Sequence, residues 1–321
     1  MKKYLQELGN SKSIFSVLGL VLLIVVSSVV SKEFLQVGNV LTIVRQASIL
    51  LILSAGLTAV LVAAEIDLSV GAVAGLIGCL CAQLIKADVP TAAIFPIGII
   101  LGGLVGCLNG FLVGKVKLPS FVATYGTTWV ASGFSIIVMN GAIIYDLPSG
   151  FTWFGTGYIG FIPVIVIVAA LVTAIMYFVL QKTTLGLNIY TFGANPEAAR
   201  YSAIPVERVV FSTFTLCGMC AGLAGLLMTA RLNAADAAMG SDSGMLAIAA
   251  VVIGGTSLLG GEGSIVGTVA GALILTIIVN VMNLLGISSF AQPLVVGAVI
   301  LLMAFLDVHT KKMRFWSIFG R

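Results

Sequence analysis

The stretch "LLILSAGLTAVLVAAEIDLSVGAVAGLIGCL", residues 50–80, decides what kind of molecule this is. Apolar residues run from Leu50 to Val62 and again from Val70 to Leu80, and between them stand two carboxylates, Glu65 and Asp67. A membrane helix needs roughly 20 mostly apolar residues. An ionised Asp at its centre costs about 2.5–3.5 kcal/mol even on the gentler insertion scales. The acids therefore mark a break between two membrane segments, where Asp67 caps a helix or lines water. Asp67-Leu68-Ser69-Val70-Gly71 suits a helix start, with Asp67 as N-cap accepting from the amide of Ser69 or Val70. Glu65 is expected to reach the aqueous boundary.

The rest of the chain extends this reading. Of 321 residues 60% are hydrophobic and only 9% charged, and the mean hydropathy is +1.17. Soluble domains carry about 25% charged residues. So few charges cannot build a water-facing surface, which makes this an all-α polytopic membrane protein. Breaks at charge, Gly and Pro give about ten candidate spans, near 14–31, 39–63, 68–86, 92–114, 120–140, 161–180, 208–231, 244–260, 264–284 and 290–307. The third and eighth are short and glycine-interrupted, and are expected as broken or half-crossing helices. The first span could pass for a signal peptide, but Ser31-Lys32-Glu33-Phe34 offers no small-x-small cleavage site, so it reads as retained.

Charge orients the spans. With the N-terminus inside, Lys2, Lys3, Lys12, Lys115, Lys117, Lys182, Arg200, Arg208, Lys311, Lys312, Arg314 and Arg321 fall inside, and only Lys32, Arg45, Lys86 and Arg231 outside. The positive-inside rule then puts both termini in the cytoplasm.

Gly98, Gly102, Gly106, Gly110 and Gly114 recur every four residues, a single stripe that lets a neighbouring helix approach closely. Gly263, Gly267 and Gly271 repeat the device. Asn109 lies in the first glycine helix, and Asn280 and Asn283 in the second, which hints at an inverted repeat of spans 2–5 and 7–10. The aromatic segment 141–160 reads as an interfacial belt of Tyr145, Trp153 and Tyr158.

Catalytic and metal chemistry find little support. Cys217-Gly-Met-Cys220 has the C-x-x-C spacing but no partner pair, His or charge nearby. The single histidine, His309, falls in the C-terminal tail, and "GGTSLLGGEG" (254–263) lacks the Lys-Ser/Thr ending of a phosphate-binding loop. The most polar segment is 181–208. Within it Asn195-Pro196-Glu197 is a helix-start signal, with Asn as cap, Pro at the first position and an acid at the positive end. Glu197 and Arg200, three apart, can pair on one face. A short helix in the longest inside loop is a natural docking knob.

Three stretches, "IDLSVGA" (66–72), "GANPEAARYSAI" (193–204) and "AIAAVVIGGTSLLGGEGSIVGT" (247–268), resemble the monosaccharide-type ABC importer permeases, the ribose/galactose/autoinducer-2 class. The likeness runs from about residue 35 to 307. It implies a single permease domain over 1–321 in a bacterial inner membrane. It also implies a second permease copy, identical or homologous, a cytoplasmic ATPase that binds the ATP and Mg, and a periplasmic or lipid-anchored sugar-binding protein. The permease itself would carry no cofactor. In that family the loop matching 193–204 couples to the ATPase, which transfers the role to Gly193, Asn195, Pro196, Glu197 and Arg200; Asp67 and Ser69 match the Asp-Leu-Ser motif. The chain departs twice, with Glu65 where the family commonly has Gly and Gly244-Met245-Leu246 where it commonly has Glu-Leu-Asp. No particular sugar therefore transfers. The expected path runs by Glu65, Asp67, Ser69, Asn109, Asn280 and Asn283. The rival reading is a stand-alone secondary transporter or channel for a small polar solute, which would normally show more buried ionisable partners.

Overall fold

In the computed structural model, which describes residues 2–299, 301, 302 and 305, nearly every segment is helical. The order is α1 (Lys2–Val30), α2 (Val37–Val62), α3 (Val70–Lys86), α4 (Thr91–Gly114), α5 (Ser120–Met139), β1 (Ile144–Tyr145), α6 (Ser149–Thr156), β2 (Tyr158–Ile159), β3 (Ile162–Pro163), α7 (Val164–Lys182), α8 (Thr184–Ala194), α9 (Pro196–Tyr201), α10 (Val206–Leu232), β4 (Ala234–Ala235), α11 (Ser243–Ile253) and α12 (Ile265–Leu284). The two-residue strands pair as β1–β4 and β2–β3 and tie loops together at one end of the bundle.

The expected count of about ten spans is not met. Among the described residues six helices are long and apolar enough to cross a membrane: α2, α4, α5, α7, α10 and α12. Three apolar helices fall short, over Ile14–Val30, Val70–Lys86 and Ser243–Ile253. Apolar length in sequence overstates helix length because backbone turns interrupt it. The segment 244–260 is helical only to Ile253; Gly255 then takes a φ of +86° and the chain leaves the helix. The tenth candidate, 290–307, runs past the described residues, as do His309 and the basic tail beyond it. The repeat of spans 2–5 and 7–10 was numbered on ten spans and falls with that count.

α2, α10 and α12 form the interior, while α4, α5 and α7 are peripheral and keep most of their apolar surface exposed. Such surface is what lipid or another membrane subunit covers. The glycine stripe of α4 is spent on α10. A Cβ on Gly98 would meet the Leu226 side chain, on Gly102 the Gly218 carbonyl, on Gly106 the Phe214 carbonyl, and on Gly110 the Phe211 backbone; Gly114 is looser, 3.3 Å from the Glu207 carbonyl. Gly218 and Gly222 return the contact from α10 onto Gly102 and Gly98. Lipid provides no hydrophobic drive for helix association, so close backbone contact of this kind supplies the packing energy. Gly267 and Gly271 of α12 bear on Gly254 and Ala250 in the same way.

Candidate functional site

Three of the residues singled out in sequence meet in one buried chain of hydrogen bonds. α2 ends at Val62, and Ala64 takes a left-handed φ of 60° that starts an extended crossing to α3. Asp67, in that crossing, is 1% exposed. Its Oδ1 accepts from the Ser69 amide at 2.8 Å and the Ser69 hydroxyl at 2.6 Å. Ser69 Oγ accepts from Asn109 Nδ2 at 2.9 Å, and Asn109 Oδ1 accepts from Thr127 Oγ1 at 2.6 Å. The line thus runs from the break through α4 into α5. Ser120 and Thr124 hold the crossing itself by accepting the amides of Ile66 and Leu68, each at 3.2 Å.

The cap position differs from the expected one. Ser69 precedes α3, its backbone is already near helical at φ −82°, ψ −15°, and it makes no side-chain cap bond. Asp67 lies two residues earlier and closes a local side-chain turn onto Ser69 instead. Nor do the late asparagines join the site. Asn280 exchanges hydrogen bonds with Asn39 at 2.7 and 3.1 Å, toward the far end of α12, and exposed Asn283 accepts from Gln292 at 2.7 Å. Glu65 is half-buried. Burial pushes its carboxyl above the ordinary carboxylate range, against the opposing pull of the Ser120 hydroxyl and the Lys117 charge.

The polar segment 181–208 is two helices rather than a loop. Thr183 caps α8 by accepting from the Gly186 amide at 3.2 Å. Asn195 caps α9, accepting from the amides of Glu197 and Ala198 at 3.0 Å each, with Pro196 opening the helix. Glu197 and Arg200 do not pair. Both are exposed on a six-residue helix, and the surface ion pair nearby is Lys117–Glu207 at 3.7 Å. Beside α9 a cavity of about 500 Å³ is lined by Lys117, Arg200, Glu207 and Arg208, an excess of positive charge.

These two regions touch through Gly193 and through Gly260 and Gly261 of the 254–263 loop, whose contacts the sequence did not disclose. A Cβ on Gly193, near the end of α8, would collide with the Val62 carbonyl. The same carbonyl accepts from the Gly261 amide at 2.8 Å. Gly261 (φ +74°) lies against Ala194, where a Cβ would come within 2.7 Å of that residue's Cα. Gly260 (φ +77°) lies likewise against Ala64, at 2.8 Å. Tyr190 of α8 donates to the Gly263 carbonyl at 2.7 Å. The 254–263 loop is therefore wedged between the approach to α9 and the approach to Asp67. The paired glycines were the available signal, since only glycine tolerates both left-handed φ and such contact.

Comparison with known proteins places the chain among membrane permeases. The family described as branched-chain amino acid transport system / permease component matches residues 39–304. The chain is 40% identical to the ribose import permease protein of Bacillus subtilis over 292 residues, covering 90% of this chain and 91% of that protein. It is 36% identical to the D-allose transport system permease protein of Escherichia coli (89% and 88% covered). It is 34% identical to an autoinducer 2 import system permease protein of Escherichia coli (96% and 89% covered). No solved structure matches the chain. With nearly all of its described helices inside the matched region, the chain belongs to the branched-chain amino acid transport system / permease component family.

Proposed function

We propose that this chain is the membrane subunit of an ATP-binding cassette importer that carries a sugar or sugar-like solute inward by alternating access. It works as a dimer in a bacterial inner membrane, with both termini cytoplasmic, beneath a solute-binding protein and above two ATPase subunits. Gly193, Asn195, Pro196, Glu197 and Arg200 form the surface that the ATPase moves, and the basic cavity beside α9 suits an acidic rim on that partner. Asp67, Ser69 and Asn109, joined by Thr127, form the break beside the path.

The observation that carries this reading is the contact at Val62. Its carbonyl ends α2, touches Gly193 just before α9, and accepts from Gly261. A push on α9 reaches the end of α2, where the Asp67 crossing begins, through Gly193. The test is uptake into vesicles. Chain, ATPase and binding protein together should accumulate solute only with ATP, and Asn195→Ala should depress uptake while the cap loss costs about 1 kcal/mol locally. Concentrative uptake by the chain alone would overturn the reading in favour of a secondary transporter.

A further inference from the structure

The end of the bundle away from Asp67 holds two arginines that coupling leaves unexplained. Arg45 stands on α2, about 12 Å along the helix from Val37. One of its terminal nitrogens donates to the Thr156 carbonyl at 3.3 Å, and its guanidinium carbon lies 4.8 Å from the Tyr158 ring centroid. Its Nε is buried without a hydrogen-bond partner. Arg231, in the last turn of α10, lies within electrostatic reach of Arg45. α6 fixes that proximity: a Cβ on Gly155, one residue before Thr156, would come within 2.6 Å of the Arg231 Cα.

Among the described residues neither arginine forms an ion pair. Two like charges on membrane helices, one with an N–H left without an acceptor, are costly. A small oxyanion beside their terminal nitrogens would relieve the like-charge cost. Guanidinium groups match the paired oxygens of a carboxylate or phosphate, and their hydrogen bonds to such groups are strong. Trp153 and Tyr158, 42% and 43% exposed, stand at the same end and supply amphipathic rings. We propose that Arg45 and Arg231 form an entry subsite for the oxyanion of a negatively charged polyhydroxy solute, a sugar acid or a sugar phosphate. The proposal rests on the importer reading only for its claim that this end faces the incoming solute.

The test uses the purified full chain in nanodiscs of neutral lipid, titrated with glucuronate, glucose 6-phosphate and glucose, and read by calorimetry and tryptophan fluorescence. At least one anion should bind saturably, and glucose at the same concentrations should not. Arg45→Gln and Arg231→Gln should each raise Kd at least about tenfold, as loss of one charge-assisted bond requires; Arg45→Lys should lose less. Binding to unmodified protein should also weaken with inorganic phosphate and with salt, a readout that survives if a variant misfolds. Absence of saturable binding for both anions would overturn the proposal, as would binding unchanged in both Gln variants. Because no ATPase is present, failure here is separate from failure of the uptake experiment.

Discussion

The Gly261 amide donates to the Val62 carbonyl at 2.8 Å, and Gly193 packs on that same carbonyl with no room for a side chain. One backbone oxygen is thus shared by the end of α2, the approach to α9 and the 254–263 loop. Gly261→Ala places a Cβ at φ +74° and against Ala194. The left-handed conformation alone costs about 1–2 kcal/mol. We expect a lower melting temperature, and, in the assembled transporter, solute moved per ATP hydrolysed falling several-fold while hydrolysis continues. An unchanged ratio would show that this junction does not transmit motion.

Asn109 is the middle member of the buried chain, donating to Ser69 and accepting from Thr127. Asn109→Ala removes two links, to Ser69 and to Thr127, while those hydroxyls keep Asp67 and the Ala123 carbonyl as partners. In membranes such links contribute about 0.6 to 1.7 kcal/mol each. The expected loss is about 1–3 kcal/mol by thermal or denaturant unfolding in detergent, with reduced uptake. Thr127→Val should show a smaller loss, since only one link to another helix goes, the other bond being to Ala123 of the same helix.

The α4–α10 seam predicts a sharp contrast between glycines. Gly102→Val drives a side chain into the Gly218 carbonyl and should abolish folded protein on size-exclusion chromatography. Gly126→Ala on α5, where nothing stands within 4 Å of a new Cβ, should leave monomer folding unchanged. Equal tolerance at both positions would contradict the packing.

Glu65 gives a pH signature. Its carboxyl is raised by burial, so the fold favours the protonated form. The stability this contributes is complete below the ordinary value near 4.5 and is lost as pH rises through the folded value. Glu65→Gln should therefore flatten the dependence of melting temperature on pH from about 4.5 upward. Glu65→Gly should alter uptake or selectivity; identical transport would remove any part for this acid in handling the solute.

How far the sequence disclosed these features depended on whether each was local. The α4 stripe is legible because a spacing of four fixes one helix face, and Asn195-Pro196-Glu197 because a cap involves neighbours three residues apart. Asp67 and Asn109 were each visible as polar residues in apolar surroundings, but their union through Ser69 depends on how α3 and α4 pack. Asn280 and Asn283 looked alike for the same reason and turned out to serve another end of the bundle. The span count failed where a glycine turn, as at Gly255, ends a helix inside an apolar run. Gly260 and Gly261 escaped notice because their value lies in partners about 65 and 195 residues earlier.

α10 begins five residues after Tyr201, ends at Leu232, and is joined to α4 backbone to backbone from Phe211 to Gly222. At 27 residues it spans about 40 Å. With backbone against backbone at Gly102, Gly106 and Gly110, that seam has little room to slide, and the pair behaves as one stiff lever. A tilt imposed at Pro205 would then reappear as a displacement of Arg231 at the other end of the same helix.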